Sequence, residues 1–305
     1  MNPIKITLGV PVMNQLDLTL EFLDKIFDTT NSTKENYNES FQIILVDNGS
    51  SPHLMEFLQE NRPEYLKKNI YIIRNHNNIG VREALNQIWE KASGDIIVYT
   101  HNDVMFHEIG WDNKLRLAFD KHKEAGIIGA YGAKQIGTGD IYQTEYRMDQ
   151  LARNGNVSNC RMDKSVHGFR NLGNSFENVA VFDGFFMAVR KELLEKIGGF
   201  SSILPQHHNY DNLICVQSIE NGYENIVISL DLDHLGGRTD VGENWTEGFG
   251  KTKQEIHRDA HPPFYNYGKG KLPIYIEDIY DESTMKICGY NLYMNRELVK
   301  TKMYD

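Results

Sequence analysis

Positive charge is what this chain is short of. Lys and Arg total 32 against 42 Asp and Glu in 305 residues, a formal charge of -10 with no long basic run to offset it locally. That balance speaks against bulk electrostatic attraction to nucleic acid or to an anionic bilayer. Cysteine is scarce: Cys160, Cys215 and Cys288 are odd in number, widely spaced and include no CxxC pair. This argues against a zinc knuckle or a secreted disulfide scaffold and fits a reducing, cytoplasmic compartment. Long apolar runs are missing as well. Ile6 to Met13 and Ile96 to Tyr99 fall far short of the roughly 18 residues of a spanning helix, so no membrane anchor is expected. The N-terminus carries only Lys5 ahead of a short apolar segment broken by Gly9 and Pro11, with no small-residue cleavage pattern, and is not read as a secretory signal. Sequons at Asn31 and Asn244 then carry no weight, and no tandem repeat is found.

What is present has the makeup of an ordinary folded protein, with 40% apolar and 24% charged residues, 25 glycines and 8 prolines. That composition excludes a disordered tail, a collagen or a coiled coil. A chain of this length buries about three quarters of its unfolded surface, enough for one large α/β domain or one domain with an appendage.

The first half alternates short β-rich runs with amphipathic ones, the pattern of βαβ units and a parallel sheet. Strands are predicted at Lys5 to Val10, Gln42 to Val46, Ile70 to Arg74 and Asp95 to Thr100. Between them Leu16, Leu20, Leu23 and Phe27 recur at helical spacing, Leu54 to Gln59 form a short helix, and Val81, Leu85, Ile88 and Trp89 mark a third apolar face. Each strand runs into a polar cluster: Pro11 to Gln15, Asp47 to Ser51, Asn75 to Gly80, His101 to Asp103. Ligands of open α/β sheets bind beyond the carboxyl ends of the strands, so these clusters are expected to converge. From Gly126 to about Asn178 the pattern reads as loops and short sheet pieces. Then follow an apolar strand at Val179 to Val189, a helix at Lys191 to Ile197 stopped by Gly198 and Gly199, a helix around Tyr210 to Asn221, and a strand at Ile226 to Leu230. After Gly237 the composition turns to glycine, aromatic and basic residues, and a C-terminal extension is placed there.

Five groups carry candidate chemistry. Asp47, at the end of an apolar strand and before Gly49, suits hydrogen bonds from a nucleobase or ribose, while an Asx-capped turn explains it equally. Asn78 and Gly80 open a helix whose backbone N–H groups suit a nucleotide's polar edge; helix capping accounts for Asn78, whereas Asn86 is a poor helix former in a helix interior. Asp103 follows an apolar strand and, with a nucleoside diphosphate, suits Mg²⁺ or Mn²⁺, while a surface strand end explains it equally; His101, two positions earlier, points to the same side of an extended segment and could join it, but taken alone reads as a bystander. Asp211 opens a helix after the loop of His207 and His208, where a helix-dipole acid is the simpler reading. His234 follows a strand and is read either as a ligand or as a satisfied core histidine. His207 and His208, adjacent in the chain, are read as lining a loop rather than sharing an ion.

Order and spacing tie these groups together. Val10-Pro11-Val12-Met13-Asn14, Val46-Asp47-Asn48-Gly49-Ser50, Asn78-Ile79-Gly80 with Ala84 and Asn86, His101-Asn102-Asp103-Val104, Gly184 to Arg190 with Gly198-Gly199-Phe200, Asp211, and His234 to Gly237 together resemble the inverting glycosyltransferases of family 2. The resemblance runs from about Ile4 to Gly237. It implies a GT-A fold, an α/β Rossmann-like architecture with a mostly parallel central sheet flanked by helices. The implied layout is a transferase domain over 1–237, with a nucleotide-binding half at about 1–104 and an acceptor-side half at about 105–237, and an extension or lid over 238–305.

In that reading Pro11, Val12, Asn14, Asp47, Asn78, Gly80, Asn86, Asn102 and Arg238 meet the donor, and Asp183 and Gly184 meet sugar or acceptor. Asp103, His234 and His101 hold Mn²⁺ or Mg²⁺, and Asp211 is the base. The implied partners are a UDP-, dTDP- or GDP-sugar and an acceptor drawn from glycans, lipid-linked saccharides, proteins or modified nucleobases. Three positions depart from the family's pattern: Tyr210 stands where a Glu precedes the base, Leu213 where an acid often follows it, and His101 where the metal motif begins with Asp. Two rival readings remain open, a catalytically inactive nucleotide-sugar-binding module and a nucleotidyltransferase.

Overall fold

The computed structural model describes residues 5–31, 40–136, 153–158, 175–235, 246, 249–272 and 274–276. In chain order the elements are β1 (Ile6–Val12), α1 (Leu16–Thr29), β2 (Phe41–Asn48), α2 (Leu54–Asn61), β3 (Ile70–Asn75), α3 (Val81–Lys91), β4 (Ile96–Thr100), β5 (Val104–Phe106), α4 (Trp111–Lys121), β6 (Ala125–Gly129), β7 (Tyr131–Ile136), β8 (Arg153–Ser158), β9 (Phe176–Asn178), β10 (Val181–Phe182), β11 (Phe186–Arg190), α5 (Lys191–Ile197), α6 (Tyr210–Glu220), β12 (Glu224–Ile228), β13 (Leu232–His234), α7 (Lys253–Gly268) and β14 (Ile274–Tyr275).

The central sheet has eight strands in the order β3-β2-β1-β4-β11-β6-β12-β9. The first four run parallel, β12 is parallel to β6, and β11 and β9 are antiparallel to their neighbours. Its inner strands are apolar on both faces because each face is covered by other elements, while the edge strands β3 and β9 are partly exposed. Along β4, Ile96 and Val98 join one core with Phe22, Phe106 and Trp111, while Ile97 and Tyr99 join the other with Ile88, Leu194 and Phe264. Successive side chains thus feed opposite layers, as the two-residue period requires.

One expectation is corrected. Val179 to Val189 is not one strand. The chain leaves the ladder at Asp183–Phe185, so β10 pairs with β7 while β11 pairs with β4 and β6. Backbone groups in the break are held from other elements: Gly184 N–H donates to Asp211 Oδ2 at 3.1 Å, and the Phe185 carbonyl accepts from the Thr100 hydroxyl at 2.9 Å and from His101 N–H at 3.1 Å. The glycine-rich start of the region read as loops and short sheet pieces is one of those pieces, the fully buried strand β6. Gly129 belongs there because a Cβ would lie 2.5 Å from the Phe182 ring. The glycines that read as breakers are close approaches of neighbouring elements. The Asn-rich stretch that followed lies largely outside the described residues, as do Cys160 and Cys288; Cys215 is buried and its Sγ accepts from Phe182 N–H at 3.3 Å.

The described residues after Gly237 pack into the second core cluster. Helix α7 begins with a capping box of Thr252 and Glu255 and carries Pro262 and Pro263 in its interior. Proline costs a helix its backbone bond there, and the burial of Ala260 and Phe264 opposes that cost. Phe264 and Leu272 belong to the same core cluster as Tyr99 and Val46, and β14 pairs with β7. Lys251 pairs with Asp259 of α7 at 2.7 Å. Among the described residues no helix is long and apolar enough to cross a membrane.

Gly9 lets α3 approach β1, because a Cβ at this position would lie 2.3 Å from Ile88 Cγ2. Gly9→Ala is therefore expected to destabilise by about 1–3 kcal/mol through overpacking. Ile88→Ala removes the clashing atoms, so the double variant should be more stable than the sum of the single effects, read by urea denaturation in a double-mutant cycle. Strict additivity would show that the contact does not set the packing.

Candidate functional site

Two groups of polar residues gather at the carboxyl edge of the sheet. The first joins the turns after β1, β2 and β3, largely through bonds among the turns themselves. Asn14, in a left-handed backbone conformation at φ 51°, donates its N–H to Ser50 Oγ at 2.8 Å, and its Oδ1 accepts from Ser51 N–H at 2.8 Å. Asn48 Nδ2 donates to Asn78 Oδ1 at 2.7 Å, and Asn48 Oδ1 accepts from Ile79 N–H at 3.0 Å. Asn78 also accepts from Gly80 N–H at 2.9 Å, an Asx turn. It does not cap α3, whose N-cap position is Gly80 at φ 91°. Pro11 and Val12 close β1 beside Val46 and Asp47.

Asp47 is 1% exposed and its carboxylate is engaged within the protein. Oδ1 accepts from Ser50 N–H and Oδ2 from Leu54 N–H, both at 2.9 Å, and Arg74 NH1 lies 2.7 Å from Oδ2. Arg74 went unnoticed in the sequence. The signal was parallel register, which sets Asp47 beside Arg74 on β3. Asn86 and Asn102 also turn inward. Asn86 bridges α3 to the segment after α5, donating to the Phe200 carbonyl at 2.9 Å and accepting from Phe200 N–H at 2.8 Å. Asn102 donates to Thr19 Oγ1 at 3.0 Å beneath the sheet edge.

The second group lies one strand further on, past the end of β4. Antiparallel pairing of β13 with β5 sets His234 opposite Val104, and Leu235 N–H donates to the Asp103 carbonyl at 3.0 Å. His234 Nε2 lies 3.5 Å and His101 Nδ1 3.8 Å from the same Asp103 oxygen, Oδ1. That oxygen is buried, and His234 Nε2 stands at the outer limit of hydrogen-bond distance from it. The three ligand atoms lie within 4.8 Å of one another, and among the described residues this is the one group of three or more such side chains able to hold a metal ion. The His234 ring stacks on Phe185 at 4.4 Å and 12°, a support that sequence reading missed.

Electrostatics prepares the group for a cation. Burial raises the Asp103 pKa, but nearby His234 and the charge of His101 outweigh it and hold the carboxyl below its usual range. Although 39% of the His101 side chain is exposed, desolvation at the crevice floor pulls its pKa below the ordinary value against the opposing pull of Asp103. An ionised carboxylate and a neutral imidazole are the protonation states a metal requires. With a buried carboxylate oxygen between two imidazoles, the donor set fits a divalent cation.

Asp183 and Asp211 also act on His101 electrostatically, which ties the cluster to the break between β10 and β11. Asp211 is 9% exposed at the start of α6. Its Oδ2 accepts from Gly184 N–H and its Oδ1 from Asn212 N–H at 2.8 Å. Gly184 is required by Tyr210, whose Oη would lie 2.5 Å from a Cβ at 184. Asp183 Oδ1 accepts from Phe185 N–H at 3.3 Å. His207 packs edge-on to Phe249, and His208 to His261, apart from the metal group. Arg238 lies outside the described residues.

The profile of Glycosyl transferase family 2 matches residues 7–198. No curated protein matches the sequence. Among solved structures, the chain is similar to the mannosyltransferase PcManGT from Pyrobaculum calidifontis, solved with GDP-Man and Mn²⁺. The TM-score is 0.52 at 17% identity, covering 78% of this chain and 59% of that one. It is also similar to GalNAc-T7, solved with UDP, GalNAc and Mn²⁺, with a TM-score of 0.55 at 13% identity, covering 76% of this chain and 44% of that one. The chain thus spans well under two thirds of the length of either. The likeness shows the fold, and that fold is GT-A.

Asn86 satisfies both backbone groups of Phe200, so Asn86→Ala leaves a partly buried N–H and C=O without partners. It is expected to lower unfolding free energy by about 1–3 kcal/mol, measured by chemical denaturation. A variant as stable as the parent would return Asn86 to the donor site.

Proposed function

Because the chain belongs to Glycosyl transferase family 2, we propose that it moves a sugar from a nucleoside-diphosphate sugar to an acceptor hydroxyl with inversion, assisted by a divalent cation. The observation that carries this reading is the His101–Asp103–His234 group within electrostatic reach of Asp211 and Asp183. His101, Asp103 and His234 would hold Mn²⁺ or Mg²⁺, and both fold relatives having been solved with Mn²⁺ supports the cation. When bound, such an ion offsets the negative charge that builds on the departing diphosphate.

The chain's own residues do the rest. Asp211 accepts the proton of the acceptor hydroxyl while the hydroxyl oxygen bonds to the anomeric carbon. The bond to the diphosphate oxygen breaks, its electron pair leaving with the diphosphate, and attack from the opposite face inverts the centre. Gly184 N–H and Asn212 N–H fix the Asp211 carboxylate in orientation. Asp183 and Gly184 line the sugar or acceptor side. The linked turns bearing Pro11, Val12, Asn14, Asn78 and Gly80 form the donor's nucleotide wall, with Asn86 and Asn102 bracing it from behind and Arg238 reaching the diphosphate. Asp47 shapes that wall through Arg74, since its own oxygens are engaged. The nucleotide half extends to about residue 104, the acceptor half to about 237, with the remainder as an extension, in a cytoplasmic setting.

Tyr210 favours a second reading, a nucleotide-sugar-binding module without turnover, because a phenol occupies the place of an acid beside the base.

A thermal-shift screen of UDP-, dTDP- and GDP-sugars with and without Mn²⁺ identifies the donor by the rise in melting temperature that selective binding to the folded state produces. With that donor, Asp211→Asn is expected to reduce transfer by about 10²–10⁴-fold, the worth of a general base, while the donor-induced shift persists. Asp103→Ala should lose transfer and the Mn²⁺-dependent part of the shift. Full transfer in both variants contradicts the proposal; a shift without turnover in the parent protein selects the second reading.

A further inference from the structure

Asn209 stands at the N-cap of α6, yet its side chain does not cap that helix. We propose that Asn209 is a positioning residue for Asp211: its side chain is turned onto α7, and that tie holds the Asp211 carboxylate in place. The inference rests on Asp211 as the base of the proposed function and adds the element that fixes it.

An asparagine at an N-cap ordinarily has extended backbone, and its side-chain oxygen accepts the N–H of the second or third helical residue. Asn209 does neither. Its backbone lies in the left-handed region at φ 61°, directly after His208 at φ 70°. Two such residues in succession, neither of them glycine, adopt this conformation at a cost and keep it only where the surroundings hold them. Here α6 holds one side and α7 the other. Asn209 Oδ1 accepts from Asn212 Nδ2 at 2.8 Å, and Asn209 Nδ2 donates to the Ala260 carbonyl of α7 at 3.4 Å, both bonds being buried. The His208 ring meets the His261 ring of α7 edge-on, with centroids 5.3 Å apart.

Asn212 is the third residue of α6, so its N–H is one that a capping side chain would take. With Asn209 turned to α7, that N–H donates instead to Asp211 Oδ1 at 2.8 Å, while Gly184 N–H holds Oδ2. Asn212 thus works twice: Asn209 fixes its side chain, and its N–H fixes the acid. A run of hydrogen bonds leads from α7 through Asn209 and Asn212 to Asp211.

Helix α7 is a firm anchor for that run. Phe264 and Leu272 are buried in the core cluster that contains Leu213 and Cys215 of α6. At the far end of α6, Glu220 pairs with Lys271 at 2.7 Å and accepts from the Tyr267 hydroxyl, with Lys271 Nζ 3.5 Å from the centre of the Tyr267 ring. The base-bearing helix is therefore gripped at both ends from α7 and the turn that follows it.

Two substitutions separate positioning from stability. Asn209→Ser offers a hydroxyl that caps α6 in the ordinary way, taking the Asn212 N–H from Asp211 and giving up α7. Asn209→Gly keeps the left-handed backbone and removes the tie. With the donor found by thermal shift, kcat is expected to fall about 10- to 100-fold in Asn209→Ser, the scale on which a misplaced group costs rate. The donor KM and the donor-induced rise in melting temperature should stay unchanged, and the urea midpoint should match or exceed that of Asn209→Gly. A role in folding alone would make kcat follow the midpoint and would overturn the inference. Hydrogen exchange of the full chain, read by mass spectrometry, tests the tie without turnover. In Asn209→Gly exchange should quicken together in peptides covering 209–214 and 256–264, with β1 to β4 unchanged, and this measurement decides should Asn209→Ser fail to fold. Parent-like kcat in Asn209→Ser, or α7 exchange indifferent to Asn209→Gly, overturns the inference. A parent without transfer whose α6 and α7 exchange remain coupled would count against the proposed function alone. Transfer by the parent that neither substitution lowers would count against this inference alone.

Discussion

A buried carboxylate oxygen set between two imidazoles is the constraint around which this site is arranged. Asp103 Oδ1 sits between His101 and His234, with His234 Nε2 at the outer limit of hydrogen-bond distance, a condition that costs free energy unless a cation relieves it. The surrounding chain works to keep the arrangement. β13 pairs with β5 to bring His234 alongside, Leu235 N–H holds the Asp103 carbonyl, and Phe185 backs the His234 ring. A protein selected only for stability would have placed an apolar residue or a closer donor there.

The break between β10 and β11 couples this group to the rest of the crevice. A continuous strand would have buried residues 183–185 in the ladder. Leaving it frees the Phe185 carbonyl for Thr100 and His101, and the Gly184 N–H for Asp211. One irregularity in the sheet thus orients His101 and the acid at the start of α6 together. The close packing of Tyr210 on Gly184 fixes the two elements against each other. Tyr210, which departs from the family's pattern, has a steric role in this geometry whatever else its hydroxyl contributes.

Much of this was legible in the sequence. The alternation of β-rich and amphipathic segments located β1 to β4, and the polar clusters after them do lie at one edge. What spacing could not reveal is whether a polar side chain is already engaged. Asp47, Asn78, Asn86 and Asn102 have the residue types of a binding site, yet their partners are Ser50, Leu54, Arg74, Asn48, Phe200 and Thr19, most of them distant in the chain. Local sequence carries no record of a lone pair used by a residue a hundred positions away. Gly126 and Gly129 left the choice between loop and short sheet piece open, because glycine marks both a turn and a strand approached closely by its neighbours, and only the packing of Phe182, Ser218 and Tyr223 distinguishes them. The pairing of His101 and His234 on one oxygen depends on two short strands meeting across 130 residues, which periodicity does not encode.

The proposed function requires the crevice to hold one cation at a single place, shared by three side chains and facing the acid of α6. Anomalous diffraction at the manganese edge, from crystals grown with Mn²⁺ and the nucleoside diphosphate found to bind, tests it directly. One strong peak is expected within bonding distance of His101, Asp103 and His234, with the Asp211 carboxylate across the same cavity. A peak held by other residues, or one shielded from Asp211 by intervening protein, would contradict it.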